Sequence, residues 1–142
     1  MKLRIMVLEQ NQVLREMLRT YFSELGHDVL AFSDPTVCPF YGKRLDEPCF
    51  CHEISPCADV VLADFNVPNI NALDFLTLQQ RRGCKVLDAN KAVMSASMTK
   101  ALTTAIEELG CHYIEKPFRL AEIGKWLEDC AARVMTLKLR EG

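Results

Sequence analysis

Residues 59–68 read Asp59-Val60-Val61-Leu62-Ala63-Asp64-Phe65-Asn66-Val67-Pro68. Four consecutive apolar residues stand between two aspartates, and a proline follows four positions after the second. An apolar run this short, opened by two β-branched residues, reads as a strand buried on both faces. The strand ends at Asp64, and Pro68 punctuates the loop beyond it. A strand covered on both faces needs a layer of helices on each side, so the flanking sequence should alternate between the two periodicities.

It does. Residues 3–8 (Leu-Arg-Ile-Met-Val-Leu) form another mostly apolar run. Residues 12–25 switch to helical spacing, with Leu14, Leu18, Phe22 and Leu25 on one stripe and Met17 and Tyr21 beside it; Gly26 follows as a C-cap. Residues 27–32 make a short strand, and after Pro68 a helix carries Leu73, Phe75 and Leu76. Ala92, Val93 and Met94 form a strand ending at Ser95, and residues 98–109 a helix stopping at Gly110. Residues 112–115 are a strand, Lys116-Pro117-Phe118 a break, and residues 120–135 an amphipathic helix carrying Leu120, Ile123, Trp126, Leu127 and Cys130. This alternation predicts right-handed βαβ crossovers and an α/β fold: a doubly wound, five-stranded parallel sheet in a three-layer sandwich.

The 142 residues make one domain, and 49% hydrophobic with 25% charged residues excludes wholesale disorder. The net charge of -2, without a basic run, argues against a nucleic-acid surface. No apolar stretch approaches the ~18–20 residues of a membrane span, and no signal-peptide pattern follows Met1, so a soluble cytoplasmic protein is expected. No Gly-x-Gly-x-x-Gly or phosphate loop follows the first strand, which disfavours a nucleotide-binding dehydrogenase.

In such sheets ligands bind beyond the C-terminal strand ends. The polar residues there are Glu9 and Gln10, Asp64, Ser95 and Lys116. In this order they resemble the receiver domain of two-component response regulators, a flavodoxin-like fold. Asp64 with Pro68 is similar to the family's phosphoacceptor motif, Ser95-Ala96 to its Thr/Ser-Ala, and Lys116-Pro117-Phe118 to its Lys-Pro-Phe; Tyr113 falls at its switch aromatic. The resemblance implies that Asp64 accepts a phosphoryl group from a histidine kinase or phosphotransfer protein. It implies Mg²⁺ near Glu9, Gln10, Asp64 and the backbone carbonyl of Asn66, and a switch through Ser95 and Tyr113. The face made by the family's fourth helix, fifth strand and fifth helix would then meet a downstream partner or a second copy. Chemically, a carboxylate nucleophile among other oxygen ligands suits hard Mg²⁺, a lysine neutralises developing charge, and a hydroxyl can bond the new phosphoryl oxygen. No small-molecule substrate is implied, and the chain is not read as an enzyme. The bland alternatives are a solvated surface lysine at 116, a helix N-cap at Ser95 and plain packing for Tyr113.

Two features depart from the family. It carries two adjacent acids after the first strand, and here Gln10 replaces the second, so two carboxylates remain where three are usual. Either Glu9 reaches the metal on its longer stem, or the domain is a pseudo-receiver that binds partners without phosphorylation. Ala72, where glycine is common, is a minor change.

The other departure is residues 33–58, which hold Pro35, Pro39, Pro48, Pro56 and Gly42 where the second helix should lie. Proline at this density replaces or disrupts that helix. Four of the seven cysteines, Cys38, Cys49, Cys51 and Cys57, stand here with His52. Thiolates suit Zn²⁺ or an iron–sulfur cluster, but no Cys-x-x-Cys pair is present, and half-buried thiols or a fortuitous disulfide are the competing reading. A metal or redox sensor on this scaffold is therefore a third functional class. Cys111 and Cys130 read as core, and His112 as a strand residue without a role. The expected domain is 1–135, with 136–142 a tail too short for an output domain; its terminal Glu141-Gly142 also fits a cloning remnant, which leaves a longer native chain open.

Overall fold

The structure, a computed structural model, describes residues 1–35 and 56–141. Five parallel strands lie in the order β2-β1-β3-β4-β5: β1 (Arg4–Leu8), β2 (Asp28–Phe32), β3 (Val60–Asp64), β4 (Lys91–Ser95) and β5 (His112–Glu115). The described helices are α1 (Gln12–Glu24), α2 (Ala72–Arg81), α3 (Lys100–Glu108) and α4 (Leu120–Glu141), with a 3-10 turn over Asp88–Asn90. This is the doubly wound α/β sandwich that the alternation predicts.

Alternate residues of each strand go to opposite faces. Ile5 and Val7, Val60 and Leu62, Ala92 and Met94 pack with Leu18 and Phe22 of α1 and Ile123, Trp126 and Leu127 of α4. Met6 and Leu8, Val61 and Ala63, and Val93 pack with Phe75 and Leu76 of α2 and Ile106 of α3. Burial on both faces explains why these strands read as continuous apolar runs.

The helices start where a side chain can satisfy their free amides. Asn11, Asn71 and Thr99 accept from the backbone N–H groups of Leu14, Asp74 and Leu102. Thr99, and not Ser95, therefore caps α3. After α1, Gly26 takes φ 94°, which a side chain rarely adopts. Helix α4 runs on to Glu141, six residues past the expected end, because Thr136–Glu141 contains neither glycine nor proline, and Lys138 and Arg140 suit its last turn. Among the described residues no helix is long and apolar enough to cross a membrane.

Two buried polar groups stand out at the far end of the sheet from the candidate site. Lys91, expected just outside its strand, opens β4 fully buried, with its ammonium 3.5 Å from Asp88 and no hydrogen bond. Asn90 is also fully buried; its amide donates to the carbonyls of Asp59 and Cys130 and accepts from Arg133. Residues 38, 49, 51 and 52, and the expected loss of the second helix, lie outside the described residues.

Candidate functional site

Three backbone bonds tie the strand ends together: Glu9 N–H to the Phe32 carbonyl (2.9 Å), Phe65 N–H to Met94 (2.8 Å) and Lys116 N–H to Ser95 (2.8 Å). The first ties the end of β1 to β2 and the other two tie the ends of β3 and β5 to β4; with Leu8 of β1 paired to Ala63 of β3, residues far apart in sequence meet at one edge. Glu9 and Asp64 are 1% and 7% exposed there.

Lys116 joins them. Its Nζ lies 2.8 Å from Asp64 Oδ1 and 2.9 Å from Glu9 Oε2. Burial pulls its pKa down, but the hydrogen bonds and charges of Asp64 and Glu9 outweigh that and hold the ammonium above its ordinary value. The other Glu9 oxygen accepts from Asn11 N–H at 3.2 Å. Among the described residues Glu9 is thus held at both oxygens, while Asp64 is held at one.

Ser95 is 2% exposed at the end of β4, and its hydroxyl accepts from Ser97 N–H at 3.0 Å. The remaining expected residues lie outside this contact set. Gln10 is exposed. Asn66 is exposed in the turn after Asp64. Tyr113 is 37% exposed on β5, its ring stacked near His112 with centroids 6.2 Å apart. His112 in turn lies parallel to Trp126 at 5.1 Å, a pairing that its reading as a residue without a role does not contain. Sequence reasoning also missed Arg15, whose Nη1 donates to the Glu9 carbonyl at 2.8 Å. The available signal was a basic residue one turn into the helix that follows the acidic strand end.

Glu9 and Asp64 offer hard oxygen donors, which fit Mg²⁺ in kind. Among the described residues no group of three His, Cys, Asp or Glu side chains is placed to hold a metal. The pocket therefore presents two carboxylates already sharing one ammonium. Of the cysteines considered for a second metal, Cys57 is described, and it packs half-buried against the α2/α3 side of the core. Nothing described supports Zn²⁺ or an iron–sulfur cluster.

No protein-family model matches the chain. The alkaline phosphatase synthesis transcriptional regulatory protein SphR of Synechococcus elongatus is 30% identical over 121 residues, which are 84% of this chain and 45% of that protein. The chain spans less than half of that relative. The non-phosphorylated HemR receiver domain of Leptospira biflexa superposes with a TM-score of 0.72 at 20% identity, covering 91% of this chain and 94% of that one. The receiver domain of the Francisella response regulator 1452 superposes at 0.68 and 17% identity, covering 99% and 100%. With its strand order 2-1-3-4-5 and its acids and lysine at the strand ends, the chain has the fold of response-regulator receiver domains.

Proposed function

We propose that the chain is a phosphoryl-accepting receiver domain in a two-component relay, with Asp64 as acceptor. The observation that carries this reading is the single ammonium of Lys116 bridging Asp64 and Glu9 at the strand ends. A carboxylate oxygen of Asp64 attacks the phosphorus of a phosphohistidine on a histidine kinase or phosphotransfer protein. The P–N bond breaks, the imidazole leaves with the electron pair, and an acyl phosphate forms. Asp64 Oδ2, which has no partner among the described residues, is the oxygen free to attack. Lys116 offsets charge on the incoming oxygens, at the expense of its bond to Asp64.

Mg²⁺ would supply further charge neutralisation for the transferring phosphoryl group. Glu9, Asp64 and the Asn66 carbonyl would hold it, with the Gln10 amide as a neutral contributor. Ser95 would exchange its bond from Ser97 N–H for one donated to a phosphoryl oxygen. That movement, with Tyr113 on the next strand, would reshape the surface of α3, β5 and α4 toward a downstream protein or a second copy. The role has no small-molecule substrate and belongs in the cytoplasm.

A second reading, a pseudo-receiver that binds partners without phosphorylation, is favoured by one specific observation. Gln10 is exposed and neutral, so it brings no charge to a metal beside Glu9 and Asp64. Intact mass after incubation with Mg²⁺ and acetyl phosphate, beside Asp64→Asn, separates the two. A phosphoryl increment on the wild type alone supports the acceptor; no increment on either supports the pseudo-receiver.

A further inference from the structure

We propose that Arg15 is a positioning residue for the acidic pocket: it clamps the backbone of Glu9 and Gln10 and so keeps the Glu9 carboxylate on Lys116. The consequence for cation and phosphoryl uptake rests on the acceptor reading above; the clamp itself stands on the geometry.

Arg15 lies half-buried in the first turn of α1. Its Nη1 donates to the carbonyl of Glu9 at 2.8 Å and, more weakly, to that of Gln10 at 3.4 Å. Its own backbone N–H donates to the Asn11 carbonyl at 2.9 Å. Asn11 in turn accepts from Leu14 N–H and donates its own N–H to Glu9 Oε1 at 3.2 Å. Residues 9–11 are therefore closed on the helix at three successive carbonyls. The last link of this circuit is the carboxylate that meets Lys116 at 2.9 Å.

The chain has a particular need for such a clamp. Gln10 is exposed and brings no charge to the pocket, so the side chain at position 10 does not tie the loop to the site. A bond from a charged donor to a carbonyl beside a buried acid is stronger than a neutral one. Removing it frees the loop to swing the Glu9 backbone, and the Asn11-to-Glu9 bond reports that swing directly.

The test is exchange of the Asn11 amide, measured by rapid-exchange NMR on metal-free protein, together with a Mg²⁺ titration. In Arg15→Met the Asn11 amide should exchange about tenfold faster, the loss expected for one charge-assisted bond, while the β3 amides stay unchanged. Mg²⁺ should bind several-fold more weakly, and Arg15→Lys, which keeps a donor of similar reach, should recover part of both. Unchanged Asn11 exchange would overturn the clamp. So would faster exchange throughout β1 and β3, because Arg15 would then hold the fold and not the pocket. Faster Asn11 exchange in Arg15→Met, in a protein whose wild type takes no phosphoryl group from acetyl phosphate, would support the clamp and overturn the acceptor reading.

Discussion

The Nζ of Lys116 lies 2.8 Å from Asp64 Oδ1, and the same atom lies 2.9 Å from Glu9 Oε2. One ammonium, on a side chain 19% exposed, thus serves the Asp64 and Glu9 carboxylates, whose side chains are 9% and 2% exposed. Without it, two acids would face each other in a poorly solvated pocket.

Lys116→Met should therefore destabilise the domain by about 2 kcal/mol at pH 7, somewhat less than breaking a fully buried pair. Asp64→Asn keeps the Lys116–Glu9 pair and should change stability by less than about 1 kcal/mol. Urea denaturation of both variants at pH 7 checks the contrast; equal effects would count against a shared ammonium.

Stability should fall with rising pH between about 9 and 11. Burial pushes the thiols of Cys111 and Cys130 up from 9.0 to about 11, and Lys116 is also raised. For each, the folded state keeps a proton that the unfolded chain releases, so the stabilisation is full below the unfolded pKa and lost through the folded one. Thermal midpoints across this range should decline, and a Cys111→Ala/Cys130→Ala variant should decline less steeply. A flat profile in the wild type contradicts the burial of these groups.

Lys91→Met should leave the domain as stable or make it more stable, by up to about 1 kcal/mol. The ammonium is fully buried without a hydrogen bond, and its partner Asp88 is 40% exposed, so an apolar chain of similar length removes a desolvation cost. Urea midpoints decide it: a loss above about 2 kcal/mol would show that the Lys91–Asp88 pair is net stabilising.

Trp126 is the single tryptophan, and His112 lies parallel to it at 5.1 Å. His112 is exposed at its edge, but desolvation of the ring stacked on Trp126, then the charge of Arg133, lowers its pKa below 6.5. The neutral imidazole therefore contributes stability that is present above 6.5 and lost as pH falls through the folded value. Trp126 emission should be quenched with a midpoint below 6.5, and His112→Phe should abolish the step. The same midpoint in the variant would assign the quenching elsewhere.

Much of the fold is legible in the sequence because burial on two faces is a local pattern. Val60–Asp64 is recognisable as a strand from its apolar run and the turn signals after it, and the same holds for β1. The ends are less legible where a rule is broken. Lysine is almost never fully buried, so a strand opening at Lys91 is not what its residue type suggests. Helix α4 outruns its apolar stripe because propensity and the absence of a stop residue carry it on to Glu141. At the site, Glu9, Asp64, Ser95 and Lys116 are found as strand-end polar residues, while Arg15 is not, because a basic residue one turn into a helix is a common feature and the carbonyl it bonds is set by the fold.

The sequence by itself determined the alternation of strands and helices, the two buried faces, and which polar residues stand at the strand ends. Each of these depends on neighbours within a turn or a strand. Only the tertiary structure decided that one ammonium meets carboxylates 52 and 107 residues away, that Gln10 stays exposed, and that Arg15 holds the loop between them. Those contacts depend on the register β1–β3–β4–β5 and on the hydrogen bonds tying the strand ends, and distances across a sheet are not written in the periodicity of any one strand.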